Sequence, residues 1–380
     1  MYVIKNATVY TMSRRGVVKK DIRLKDGKIV EIGDNLRARA GEKTINAKGK
    51  IVTPGFVDAH SHLGGFEVNG AGEDLNEITN PLTPELDAYY GVNPESIDFK
   101  GAIAQGITTS CLVPGSANIV GGLGMVMKSA GKDRLLKRAA VLKGAMGINP
   151  KGCYAPMNRA PMTRMAIANM HRDYLRRVKE YMEKKEAAGD DKEKMPPYDL
   201  GLEHGIPVLK KEIAYKIHSY MHDSMTVLEL AKEFDILITI DHALGASDYL
   251  EELTDKHVKG IIYGPTAEPL FPGEGGKLDY EACVELDKRG VKVACMTDGP
   301  VSPKNMLLFE IGECIRRGMS PVRALAMITS NAAKIVDVFD RVGSIEVGKD
   351  ADLLIWSDVP MVATDAVLEK VFIDGELINV

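Results

Sequence analysis

The chain has 380 residues, 45% apolar and 27% charged, and a formal net charge of −4. That length exceeds one small core and accommodates a barrel with a modest second domain, while the charge leaves no electrostatic footprint for nucleic acid or an anionic membrane. Five cysteines lie scattered without a C-x-x-C pair, an odd count that argues against a full disulfide framework and for a reducing cytoplasm.

The first residues, Met1-Tyr-Val-Ile-Lys-Asn, read as the start of a strand rather than an export signal. No apolar run reaches the roughly 18 residues of a spanning helix. Asp26-Gly27 predicts a tight turn between Ile22-Arg-Leu and Lys28-Ile-Val-Glu-Ile. The other end of the chain behaves alike, with short apolar strands at 351–356 and 371–373 and a second hairpin signal at Asp374-Gly375. One small sheet domain assembled from both termini is expected.

Between these ends, strands and helices alternate. Candidate strands fall at 51–60, 107–113, 125–128, 140–146, 214–218, 236–241, 260–263 and 291–297, most of them followed by helical stretches such as 226–234 or 279–289. Repeated βα units predict a parallel sheet, and eight of them an α/β protein closed into a (β/α)8, or TIM, barrel. Gly121-Gly-Leu-Gly124 lacks the Lys-Ser/Thr of a phosphate loop and reads as a tight turn leading into a strand. The segment 154–207 interrupts the rhythm with a long helix at 165–188, which carries Tyr174, Val178, Tyr181 and Met182 on one face, and then a charged turn from Gly189. This insertion follows the fourth strand, on the side where barrel active sites form, and is placed to shape a substrate pocket.

Asp58-Ala-His60-Ser-His62 ends the first barrel strand. Side chains two apart on a strand share a face, so His60 and His62 can grip one ion together. His218 and His242 sit at the C-terminal ends of later strands, and Asp298 closes the last one. Five candidate ligands thus converge on one barrel mouth, where such folds gather their catalytic groups. Imidazole and carboxylate donors suit zinc, with iron, manganese or nickel as alternatives. Of the other histidines, His222 reads as a pocket or helix-cap residue, His171 and His257 as structural or solvated, and His204 is undecided.

These residues resemble the amidohydrolase superfamily. The resemblance is carried by Pro54-Gly-Phe-Val-Asp-Ala-His60-Ser-His62, Gly106-Ile-Thr-Thr109, His218, His242, Thr297-Asp298 and Val342-Gly-Ser-Ile-Glu-Val-Gly-Lys-Asp-Ala-Asp-Leu. Asp74-Leu-Asn-Glu-Ile-Thr-Asn-Pro-Leu-Thr-Pro, Pro114-Gly-Ser-Ala-Asn and Gly147-Ile-Asn-Pro-Lys151 are similar to its imidazolonepropionase-related members. The resemblance implies a β-sandwich domain at 1–52 and 344–380 around a barrel at 53–343, one or two divalent ions, and a small-molecule substrate. It also implies roles. His60 and His62 hold the deeper metal, His218 and His242 serve that ion or a second one, and Asp298 ligates metal and carries protons between water and a leaving amine. Those relatives place a Glu before Asn-Pro-Lys, where this chain has Ile148. A bridging carboxylate would then have to come from a carboxylated Lys143, otherwise read as an ordinary strand residue. In a single-metal site His242 contacts substrate or the oxyanion.

The reaction expected is hydrolysis of an amide or cyclic C–N bond in cyclic amides, imidazolone-like rings, dipeptides or N-acyl amino acids. The alternatives are deamination or C–Cl hydrolysis on the same residues, and a non-catalytic barrel scaffold. A homo-oligomer is expected by analogy with relatives.

Overall fold

The computed structural model describes residues 1–66, 73–266 and 276–379. Both termini build one sheet. It contains β1 (Tyr2–Tyr10), β2 (Val17–Lys25), β3 (Lys28–Gly33), β4 (Lys43–Asn46) and β5 (Ile51–Pro54) from the first part of the chain. From the last part come β14 (Leu353–Trp356), β15 (Leu368–Ile373) and β16 (Glu376–Ile378), in the order β16-β15-β14-β5-β1-β2-β3 with β4 beside β1. Both hairpin signals form turns. Asp26 and Gly27 take φ of 49° and 78°, and Asp374 and Gly375 take 50° and 69°, the left-handed pairs that a two-residue hairpin demands.

The second sheet is the barrel. Its strands are β6 (Phe56–Ser61), β7 (Ile107–Leu112), β8 (Val120–Lys128), β9 (Leu135–Ala145), β10 (Ala214–Ser219), β11 (Ile238–His242), β12 (Val258–Tyr263) and β13 (Val293–Cys295), paired in sequence order. Backbone bonds from Asp298 N to His60 O and from His62 N to Gly299 O link the first strand to the residues after the last. The helices are α1 (Ile97–Ala104), α2 (Ile148–Tyr154), α3 (Arg164–Ala188), α4 (Leu200–Leu209), α5 (Asp223–Phe234), α6 (Tyr280–Lys288), α7 (Met306–Arg316), α8 (Pro321–Met327) and α9 (Ser330–Ile335).

Three expectations need correction. The stretch 51–60 divides at Gly55: β5 joins the terminal sheet and β6 opens the barrel. The strict βα alternation fails at β8, which pairs antiparallel with both β7 and β9. Its connections, 113–119 and 129–134, are shorter than the dozen or so residues a parallel crossover requires. Gly121–Gly124 forms part of β8 itself rather than a turn. Gly122 has φ 115°, and a Cβ there would lie 2.3 Å from Leu86 O, so these glycines let backbone pack against backbone.

The insertion forms as expected. Thr163 caps α3 by accepting from Ala166 N, and Tyr174, Val178 and Tyr181 are buried beneath it while the charged turn after Gly189 is exposed.

Candidate metal centre

Three histidines of the barrel mouth are fixed through one ring nitrogen each. His60 Nδ1 lies 2.5 Å from Asp241 Oδ2, His62 Nδ1 2.8 Å from Val113 O, and His218 Nδ1 3.1 Å from Ser116 Oγ. A carbonyl and an ionised carboxylate only accept, so His60 and His62 carry hydrogen on Nδ1 and present a bare Nε2 lone pair. Buried and without an aligned hydrogen-bond partner are His60 Nε2, His218 Nε2, His242 Nε2 and Asp298 Oδ1. Asp298 Oδ1 lies 3.2 Å from His60 Nε2 and 3.1 Å from His62 Nε2. The rings of His218 and His242 are 4.0 Å apart, and those of His60 and His242 5.4 Å. Orphaned polar atoms at this depth are costly, and a cation would satisfy them together. The donor set therefore fits a divalent metal, with His60, His62 and Asp298 as the tightest group.

The placement of His242 and Asp298 depends on backbone rather than periodicity. Neighbouring strand residues point to opposite faces, yet Asp241 bonds His60 while His242 packs on His60 and His218. His242 takes φ 70°, which swings the ring back into the mouth. The last strand repeats the device. Thr297 bonds Asp58 while Asp298, at φ 54°, faces the histidines. Left-handed backbone outside glycine costs about 1–3 kcal/mol per residue, a cost accepted where two successive side chains must serve one site.

A layer below supports these ligands. Asp241 Oδ2 accepts from Lys216 Nζ at 2.6 Å, and Oδ1 from Thr239 Oγ1 at 2.8 Å; Lys216 also bonds Ala59 O at 2.9 Å. Asp58 accepts from the backbone N–H of Thr297 and from its hydroxyl, clamping the first strand to the last beneath Asp298. Burial pushes the Asp58 carboxyl up to about 6 despite those bonds. Burial also disfavours charge on Asp298, but His60 and His62 beside it hold its carboxyl well below the usual range. Desolvation drives His62, His218 and His242 towards the neutral form that a metal ligand needs.

Lys143 is fully buried on β9, two residues before the strand ends, beside Lys216 in the pairing register. Its side chain is not that of an ordinary strand residue. Nζ reaches Ser116 Oγ at 2.9 Å, and burial lowers its pKa to about 8 although Asp241 and Asp298 pull the other way. Ile148 opens α2 and lines a cavity of about 360 Å³ with Phe66, Ser116, Tyr220 and Val301 above the ligands. This helix precedes the 154–207 insertion, and no described residue within 154–207 lines the cavity.

The remaining histidines are held elsewhere. His171 is buried between Tyr215 OH and Ala145 O, His257 between Asp255 and Asp235, and His204 bonds Pro84 O. His222 is exposed at the start of α5 and makes no side-chain cap bond.

The residues missed from sequence were Asp58, Ser116, Lys216, Tyr220 and Asp241. A signal existed for Lys216, Asp241 and Asp58: each is a charge inside an otherwise apolar strand, one or two residues before a ligand.

A barrel with histidines and an aspartate gathered at its mouth has the architecture of a hydrolase, and residues 51–378 match the amidohydrolase family. The chain belongs to that family. A crystal structure of an amidohydrolase from Thermotoga maritima MSB8 superposes with a TM-score of 0.92 at 37% identity, covering 100% of both chains. An imidazolonepropionase of Thermoanaerobacter pseudethanolicus is 26% identical over 377 residues, 89% of this chain and 84% of that protein. Amidohydrolase tasK of Hapsidospora irregularis is 24% identical over 393 residues, covering 93% of this chain but only 39% of its relative. Among the described residues no helix is long and apolar enough to cross a membrane.

Proposed function

We propose that this protein is a divalent-metal-dependent hydrolase, most simply a zinc enzyme, that cleaves an amide or cyclic C–N bond of a small molecule. The observation that carries this reading is the convergence of four buried ligand atoms without hydrogen-bond partners, on His60, His218, His242 and Asp298, the last three of which line a cavity of about 360 Å³. His60, His62 and Asp298 would hold the first ion. His218 and His242 would hold a second, with Lys143, whose pKa burial lowers to about 8, as a further ligand if carboxylated by CO2.

When bound, such an ion lowers the pKa of a water to about 7 and polarises the scissile carbonyl. The protein's own groups do the rest. Asp298, kept ionised, takes the proton of the attacking water and returns it to the leaving amine. Phe66, Ile148 and Val301 give the cavity an aromatic and apolar wall for the substrate.

The test is metal analysis followed by turnover on a panel of cyclic amides, imidazolone-like rings, dipeptides and N-acyl amino acids. Amine plus carboxylate is the expected product pair; ammonia would reassign the chemistry to deamination. His60→Ala should lose metal and activity together, and activity that survives without metal would overturn the mechanism.

A further inference from the structure

We infer that Ser116 is a substrate-contacting hydrogen-bond donor of this site, its hydroxyl aimed into the cavity at an oxygen of the substrate. The inference rests on the metal reading above and deepens it by naming what the substrate must present.

Ser116 lies in the connection between β7 and β8, at the catalytic end of the barrel, and lines the cavity with His218, His242 and Asp298. It is half-buried. A hydroxyl offers two lone pairs and one hydrogen. Lys143 Nζ, at 2.9 Å, donates into one lone pair. It does so as ammonium or as a carbamate nitrogen, since both keep an N–H and neither has a free lone pair to accept with. His218 Nδ1 is 3.1 Å from the same oxygen. With His218 Nε2 buried, unpartnered and facing the metal position, the ring hydrogen sits on Nδ1 and donates into the second lone pair.

Both acceptor positions of Ser116 are then filled, and its one hydrogen remains. Ser116 lines the cavity, where that hydrogen can meet a bound molecule. Two donors feeding one oxygen polarise its O–H bond and strengthen it as a donor. The complementary group is an oxygen acceptor carrying or gaining negative charge, such as the carbonyl oxygen of an amide as it becomes tetrahedral. A substrate fragment lacking such an oxygen would leave this hydroxyl unpaired.

The test uses the metal-loaded protein and methylphosphonate, a tetrahedral oxyanion, with binding read by calorimetry and metal content by elemental analysis. Ser116→Ala should keep its metal and bind methylphosphonate about ten-fold more weakly. Ser116→Thr, which retains the hydroxyl, should restore binding to near the starting value. Equal binding by the Ala variant at equal metal content would overturn the inference. So would loss of metal in that variant with recovery in Thr, which would make Ser116 only a prop for His218. A starting protein that takes up no metal would instead sink the metal reading, and with it the tautomer on which Ser116 depends.

Discussion

Asp241 Oδ2 lies 2.5 Å from His60 Nδ1 and joins the sixth barrel strand to the first beneath the candidate ligands. The same oxygen accepts from Lys216, so the carboxylate is fixed before it orients the imidazole. Supporting partners of this kind raise ligand basicity and set ring orientation. Asp241→Ala is expected to weaken metal affinity by about 10–100-fold, with His60 still in place. Competition against a chromogenic chelator measures this; unchanged affinity would show that Asp241 serves only to neutralise Lys216.

Lys143 should decide how many ions bind. The expected outcome for Lys143→Ala is one ion per chain, held by His60, His62 and Asp298, against two in the unmodified protein supplied with bicarbonate. Elemental analysis on both proteins reads this directly. Equal stoichiometry would leave Lys143 as a donor to Ser116 alone.

His171 makes a pH-dependent contribution. Nε2 donates to Ala145 O and Nδ1 accepts from Tyr215, and burial lowers the pKa of the ring from 6.5 to about 4. The unfolded chain therefore binds this proton before the folded one does. The stabilisation is complete above the unfolded value of 6.5 and is lost as pH falls towards 4. Between about pH 7.5 and about pH 5 the loss is on the order of 2 kcal/mol. His171→Gln, which can make the same two bonds without titrating, should remove that increment from denaturant unfolding curves taken at the two pH values. Curves that fall in parallel would refute the assignment.

Lys128 is buried at the other end of the barrel among Asp350, Asp352 and Asp374, at 2.8, 3.0 and 2.5 Å. Removing this buried cation leaves buried carboxylates less compensated, and breaking such a pair typically costs about 3–5 kcal/mol. Lys128→Met should therefore lower stability by about that amount in denaturant titration while leaving metal content at the barrel mouth unchanged. A neutral effect would mean that Lys28 and Arg341, both paired with Asp350, carry the cluster without it.

Much of this architecture was readable beforehand, for identifiable reasons. His60, His62, His218, His242 and Asp298 each lie within three residues of a strand's C-terminal end, and strand ends can be located from apolar runs. The turns at Asp26-Gly27 and Asp374-Gly375 were legible because few residue pairs adopt that backbone. The reversed β8 was not, since an apolar strand looks alike in either direction and only its short connections betray it. Asp241 and Lys216 were hidden by their meaning in pairs. A lone charge in an apolar strand looks like an error in placing the strand until its partner across the barrel is known.

The reversed strand has a mechanical consequence. Because β8 runs against its neighbours, the connection that carries Ser116 enters it at the catalytic rim, and Lys128 leaves it among the carboxylates of the terminal sheet. Nine buried residues thus run from the cavity at one end to the terminal sheet at the other. Asp352 and Asp374 hold one end of that strand through Lys128, and Ser116 stands in the connection that opens the other.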